Sequence, residues 1–141
     1  MPPQIVVDTS VFISALRSKR GPAFKLISLV GSDLFEINVS VPLILEYEHV
    51  AKRQGVRTGL SDGEIEDIID YLCTVGNRRE VFFLWRPFLK DPHDDLVLEL
   101  AVEAGSAIIV TFNVRDFVGA DQFGVRTLTP HAFLKEIGEL P

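Results

Sequence analysis

The segment IVVDTSVFISAL, residues 5–16, joins a short apolar run to a helical pattern through one carboxylate, Asp8. The β-branched run 5–7 is typical of a strand buried in a parallel sheet, and Val11, Ile13 and Leu16 suit a helix that packs back over it. Asp8 then stands at the carboxyl end of the strand, where open α/β sheets form binding crevices. An aspartate before Thr and Ser is also a common helix N-cap. Taken alone, the segment leaves both roles open and slightly favours the cap.

Strand and helix patterns alternate along the chain. Apolar runs predict strands at 4–8, 36–40, 81–85, 107–111 and, more weakly, 125–128, with helices between them. Two helices, at about 43–54 and 61–74, follow one another without a strand and are expected to form a hairpin over one end of the sheet. Ser61 and Glu64 form a capping box at the start of the second. The alternation predicts a parallel sheet covered by helices on both faces, and residues 1–141 are interpreted as one domain.

Composition excludes several classes of protein. The chain is 47% apolar, which excludes a disordered protein, and its single cysteine, Cys73, excludes an internal disulfide or a Cys-rich zinc site. A net charge of −6 argues against a general nucleic-acid coat, but it is compatible with a metal-dependent nuclease, because a bound cation reverses the local charge. We find neither a membrane-length apolar run nor a signal peptide, and we expect a cytoplasmic protein without a membrane partner.

Acidic residues recur at positions that a fold of this kind brings together. Besides Asp8, Glu46 flanks the apolar stripe of a helix and has no basic residue one turn on. Its neighbour Glu48 has such a basic residue, because Lys52 follows at the i+4 position. We therefore assign Glu48 to a surface ion pair with Lys52. On this fragment alone, a solvated helix acid is the simpler interpretation of Glu46.

Two further groups of acids follow. Asp94 and Asp95 begin a helix that Asp91 can cap, and three aspartates exceed what capping needs. Another strand ends at Thr111 and is followed by Asn113 and Asp116, the same arrangement as at Asp8. Such oxygen donors, without Cys or spaced His ligands, are those that Mg²⁺ or Mn²⁺ prefers, and like charges this close repel one another unless a cation is present. The sequence therefore predicts a divalent-metal site.

Four blocks of the chain resemble the PIN-domain family, especially the single-domain prokaryotic group that includes VapC-type toxins. The blocks are VVDTSVFISAL, LEYEHV, DPHDDLVLELAVEAGSAIIVTFNVRDF and TLTPHAFLKEI. The order and spacing of their acids carry the resemblance. It implies a Rossmann-like α/β/α sandwich, an acidic site that binds Mg²⁺ or Mn²⁺, and cleavage of RNA.

The resemblance also implies roles for single residues. Asp8 matches the first family aspartate, with Ser10 beside it, and Glu46 matches the helical glutamate. The third aspartate falls on Asp94 when the leucines are aligned and on Asp95 when the spacing to the last strand is kept. We favour Asp94 and retain both.

The fourth block departs from the family pattern. Asn113 stands where many relatives have aspartate, which puts the affinity and number of metals in question, although Asp116 can restore a carboxylate. Asp8, Glu46, Asp94 and Asp116 are the expected catalytic residues, and Ser10 and Thr111 the supporting hydroxyls.

The expected partners are RNA, a small antitoxin and a second copy of the chain. The apolar run 82–85 gives suggestive support for a homodimer, although an interior strand explains it better. The alternative function is a degenerate PIN-like binding module without activity. Basic residues that could contact substrate phosphates are Arg17, Lys19, Arg20, Lys52, Arg53, Arg78 and Arg79.

Overall fold

The computed structural model describes residues 2–53, 56–81 and 88–141. The strands are β1 (Gln4–Val7), β2 (Glu36–Val39), β3 (Asn77–Arg78), β4 (Ile108–Val110) and β5 (Thr127–Leu128). The α-helices are α1 (Thr9–Arg17), α2 (Pro22–Ser28), α3 (Val41–Lys52), α4 (Asp62–Val75), α5 (Pro92–Glu103) and α6 (Pro130–Glu136). Two short 3₁₀ helices, Val114–Phe117 and Ala120–Phe123, connect β4 to β5.

Within the described residues, five strands form one parallel sheet in the order β3-β2-β1-β4-β5. From β1 the chain builds outward through β2 and β3, then crosses to the other side of β1 to form β4 and β5. The strand order therefore reverses between β1 and β4. In sheets of this type a crevice opens at the carboxyl ends of the two strands that flank the reversal. The expected α/β fold with a parallel, Rossmann-like sheet is confirmed.

Four strands form within the ranges that the sequence predicted. The expected strand at 81–85 is the exception. Residues 82–85 lie outside the described residues, and Val81 is not in a strand. The third strand is instead Asn77–Arg78, which carries no apolar signal. It forms because it pairs with the edge of β2.

The Arg79 amide nitrogen lies 2.8 Å from the Val39 carbonyl oxygen, so the β2–β3 pairing extends one residue past Arg78. This contact joins residues 40 apart in the chain and depends on the position of β2. Local apolar periodicity does not report such a pairing, because the hydrogen bonds involve only the backbone.

The helices begin where the sequence provides caps. Ser61 and Glu64 form both hydrogen bonds of the capping box at the start of α4, as predicted. Asp91 caps α5 by accepting a hydrogen bond from the His93 amide at 2.9 Å. Helix α4 follows α3 with no strand among the described residues between them, and the two helices pack against each other, as the sequence predicted.

The core lies around β1 and β4. Ile5, Val6 and Val7 are at most 1% exposed, and Ile109 and Val110 are fully buried beside them. Burial on both faces explains why these strands are continuous apolar runs. Within the described residues, no helix is long and apolar enough to cross a membrane.

Candidate active site

Asp8 lies at the carboxyl end of β1, at the strand reversal. Its carboxylate is 8% exposed and accepts hydrogen bonds from the hydroxyls of Thr111, at 2.6 Å, and Ser10, at 3.2 Å. Asp8 occupies the N-cap position of α1, but its side chain makes no capping hydrogen bond. The slight preference for a capping role is therefore wrong, because the carboxylate is held across the sheet by the residue that follows β4.

Burial raises the pKa of Asp8 above its usual value. The hydrogen bonds from Thr111 and Ser10 act in the opposite direction, and the negative charge of Glu46 adds to the increase. The carboxylate is thus positioned by hydroxyl groups yet lacks a positive partner among the groups that shift its pKa.

Glu46 projects from α3 toward the same region. Its side chain is 12% exposed, accepts a hydrogen bond from the Thr9 hydroxyl and contacts Nδ1 of His93. Glu46 is therefore not the solvated helix acid that its sequence fragment suggested. Its neighbour Glu48 pairs with Lys52 at 3.4 Å, as predicted, and Lys52 also contacts Glu66 at 2.7 Å.

The acids around Asp94 raise the pKa of its carboxyl group. Its pKa is raised to about 7, first by burial and then by the negative charges of Asp8, Asp91, Asp116 and Glu46. Asp8 follows β1, Glu46 lies on α3, Asp91 is the N-cap residue of α5, and Asp116 lies in the segment after β4. The fold therefore adds acids from three other segments of the chain to the neighbouring Asp91, around one half-buried aspartate.

Asp95 points elsewhere. It is fully buried, and its Oδ1 accepts a hydrogen bond from the Leu89 amide at 3.0 Å. Asp95 is not among the acids whose negative charge raises the pKa of Asp94. Of the two alternatives that the sequence left open, the structure brings Asp94 to the other acids and directs Asp95 to the backbone before α5.

Asn113 and Asp116 follow β4 on the surface. The Asn113 amide donates to the Thr111 hydroxyl oxygen at 3.0 Å, and the Asp116 amide donates to the Asn113 carbonyl at 2.9 Å. Thr111 therefore connects this segment to Asp8, since its hydroxyl also donates to that carboxylate. Both side chains are exposed, and Asp116 contributes to the raised pKa of Asp94.

The donors suit a hard divalent cation in their chemistry. Carboxylate, amide and hydroxyl oxygens are the ligands that Mg²⁺ and Mn²⁺ prefer, and crowding of acids around Asp94 is the repulsion that a cation relieves. Among the described residues, however, no three His, Cys, Asp or Glu side chains lie close enough together to enclose an ion. Glu46 is engaged by Thr9 and His93, so binding a cation requires rearrangement of these side chains.

Sequence reasoning missed the contact between His93 and Glu46. His93 lies at the start of α5, and its side chain is 71% exposed. Its position next to Asp94 was the only available signal. A contact between α3 and α5 cannot be found from the local pattern of either helix.

Comparison with known proteins identifies the family. The sequence model of the PIN domain matches residues 4–115, well over half of the chain, and the chain belongs to this family. The crystal structure of VapBC2 from Rickettsia felis, bound to a DNA fragment from their promoter, contains a similar chain with a TM-score of 0.58 and 13% sequence identity. The match covers 89% of this chain and 96% of that one, and it supports the same fold. A search of curated proteins finds no match.

Proposed function

We propose that this protein is a divalent-metal-dependent endoribonuclease that hydrolyses RNA phosphodiester bonds. The supporting observation is the convergence of acids on Asp94 at the strand reversal of a PIN domain. Three of these four acids come from segments distant in sequence from Asp94, and repulsion makes the arrangement costly unless it serves a ligand. An acidic site of this kind suits phosphodiester hydrolysis assisted by Mg²⁺ or Mn²⁺.

We assign a proposed role to each of these side chains. Asp8, Glu46 and Asp94 would hold the cation, with Asp116 and the neutral oxygen of Asn113 completing the set. A bound divalent ion would lower the pKa of a water ligand and stabilise negative charge on the phosphate. The Ser10 and Thr111 hydroxyls orient the Asp8 carboxylate through the hydrogen bonds they donate. Asp95 keeps a structural hydrogen bond to the Leu89 amide in this scheme, although it was a candidate ligand.

Asp94 also gives the site a pH dependence. With a pKa of about 7, its carboxyl carries a proton in much of the metal-free protein at neutral pH. A cation binds the deprotonated form, so ligation displaces this proton. We expect Mn²⁺ affinity to increase as the pH rises from 6 to 8, with the steepest change near 7.

Cleavage of a mixed RNA pool tests the activity. Parent protein should cut RNA with Mn²⁺ and not with EDTA, and Asp8→Asn should abolish cleavage while preserving the circular dichroism spectrum. Glu48→Gln is the matched control, because this acid lies on the same helix as Glu46 and pairs with Lys52. Equal activity in the parent and Asp8→Asn, or a loss in Glu48→Gln equal to that in Glu46→Gln, would contradict the assignment.

We further propose that the protein is the toxin of a type II toxin–antitoxin pair, acts in the cytoplasm and forms a homodimer. The support is the shared fold with a chain of the VapBC2 structure. Coexpression with the product of a small adjacent gene should yield a stable complex in which RNA cleavage is inhibited. Failure of every adjacent product to bind or inhibit the nuclease would refute the toxin role.

A catalytically degenerate binding module is the second candidate. It is favoured by the lack of three acids that enclose an ion among the described residues, and by Asn113 at the family aspartate position. Thermal melting distinguishes the two functions, because a cation that binds only the native state raises the melting temperature. A functional site predicts an increase with Mn²⁺ that is reduced in Asp8→Asn, whereas a degenerate site predicts no such increase.

A further inference from the structure

A cleft continues from the acidic residues along the outside of the site. It has a volume of about 610 Å³, and its lining includes three aspartates, Asp91, Asp94 and Asp116, together with Lys90, Arg115 and Phe88. Its size is within the range of about 300–1,000 Å³ that is usual for small-ligand sites. A single nucleotide is therefore not too large for it.

We propose that this cleft binds one nucleotide of a single-stranded nucleic acid next to the bond that is cleaved, with the base against Phe88 and a phosphate near Lys90 and Arg115. The inference rests on the proposed nuclease function, because the cleft and the acidic site share Asp94 and Asp116. A strand whose phosphate reaches those acids must place a neighbouring nucleotide beside them.

The two cations are available for a phosphate. Within the described part of the chain, neither Lys90 nor Arg115 forms an ion pair, although both line the same cleft as three aspartates. Other basic side chains are engaged, as in the contacts of Lys52 with Glu66 and of Arg126 with Glu136. Positive charges that line an acidic cleft without pairing to its acids offer contacts to a polyanion. Neither residue was among the cations that the sequence analysis considered.

The apolar part of the cleft has the features of a base-stacking surface. Phe88 is 38% exposed, and its ring packs edge-to-face on Phe123 with centroids 5.2 Å apart. Gly119, at φ +102°, lies so close that a Cβ there would be 3.3 Å from two atoms of the Phe88 ring. The neighbouring Val118 is 78% exposed. A partly exposed aromatic ring is what nonspecific single-strand binding uses, because every base has a flat apolar face.

Binding of a fluorescent single-stranded RNA by anisotropy tests the proposal. All proteins carry Asp8→Asn so that the strand stays intact. Lys90→Gln and Arg115→Gln should each weaken binding and reduce the slope of log K against log salt by about 0.7. Phe88→Leu keeps an apolar side chain but loses the ring, and it should weaken binding by at least about five-fold without changing the slope. Lys135→Gln, an exposed cation on α6, is the control and should bind like its parent.

Changes in the nucleic acid give an independent readout that does not depend on how Phe88→Leu folds. An abasic position scanned along the strand should weaken binding at one place, and this loss should disappear in Phe88→Leu. A duplex of the same sequence should bind more weakly, because its bases are already stacked. The proposal is overturned if no position shows this coupling, or if Lys90→Gln and Arg115→Gln bind like Lys135→Gln.

Cleavage by proteins that retain Asp8 separates this inference from the nuclease proposal. If the parent cuts RNA while all cleft variants bind and cut it normally, only the cleft proposal is overturned. If the strand binds through the cleft but is never cut, the cleft proposal stands and the nuclease proposal fails. If RNA does not bind, or if the same variants weaken only a protein complex, the cleft is not a nucleotide site.

Discussion

Replacing Asp94 by asparagine should stabilise the metal-free protein. The pKa of this carboxyl rises from 3.8 to about 7 on folding, mainly through burial and then through the surrounding acids. At about 1.4 kcal/mol per pH unit, this difference corresponds to roughly 4 kcal/mol of destabilisation above pH 7. Because the carboxyl is only partly buried, solvent screening reduces the figure to about 1–2 kcal/mol.

The same substitution removes a favourable charge from the first turn of α5. Acids at that position stabilise a helix by about 0.3–1 kcal/mol. The net gain for Asp94→Asn is therefore about 1 kcal/mol, or a melting temperature about 3 °C higher in EDTA at pH 8. The variant should also gain less than the parent from added Mn²⁺, because a ligand has been lost.

The pH dependence gives this prediction a definite sign. Between pH 3.8 and about 7 the folded protein retains a proton that the unfolded chain releases, so the parent loses stability as the pH rises. The advantage of Asp94→Asn should be absent near pH 4, grow up to pH 7 and remain constant above it. Differential scanning calorimetry of the parent and Asp94→Asn in EDTA at pH 4, 6 and 8 measures this difference in stability.

Asp62→Asn is the matched control for helix-start charge. Asp62 also lies in the first turn of a helix, α4, but is exposed and is not among the acids that act on Asp94. Its variant should melt slightly below the parent at pH 8. If Asp94→Asn also melts below the parent there, with an undiminished response to Mn²⁺, Asp94 is an ordinary helix-start acid and the argument from clustered carboxylates is refuted.

Three other predictions concern the support of the site, the helix hairpin and the assembly. Thr111→Val should lower the free energy of unfolding in urea by about 1–3 kcal/mol, because the buried Asp8 carboxylate loses its 2.6 Å hydrogen bond. The same variant should bind Mn²⁺ more weakly. Unchanged values would show that this bond does not position Asp8. Ser61→Ala should lower the free energy of unfolding by about 1 kcal/mol in the same assay, since the capping box of α4 is lost. Ser28→Ala, on the exposed surface of α2, is the control and should lower it less. Light scattering at micromolar concentration should give the mass of a homodimer, and a monomer would remove that proposal.

Much of the fold was determined by local sequence patterns. The β-branched runs form β1 and β4, and Ser61 and Asp91 begin α4 and α5 as their caps predicted. Alternating strands and helices then indicated the parallel sheet, because each strand must return past a helix to pair with the next. The third strand escaped this reasoning, since Asn77–Arg78 is defined by backbone pairing with β2 and not by apolar side chains.

The candidate acids were also recognisable from sequence, but their partners were not. Asp94 and Asp95 are adjacent and chemically identical, and on a helix such neighbours point about 100° apart. Only the packing of α5 decides that Asp95 turns inward to the Leu89 amide while Asp94 meets the other acids.

Contacts across the sheet and between helices were decided by tertiary structure alone. Thr111 donates to the Asp8 carboxylate across 103 positions of sequence, and His93 reaches Glu46 from another helix. The sequence determines which oxygen and nitrogen atoms each element carries, because side-chain spacing and caps are local properties. Their partners depend on the order of strands and the packing of helices, and that order brings β1 beside β4.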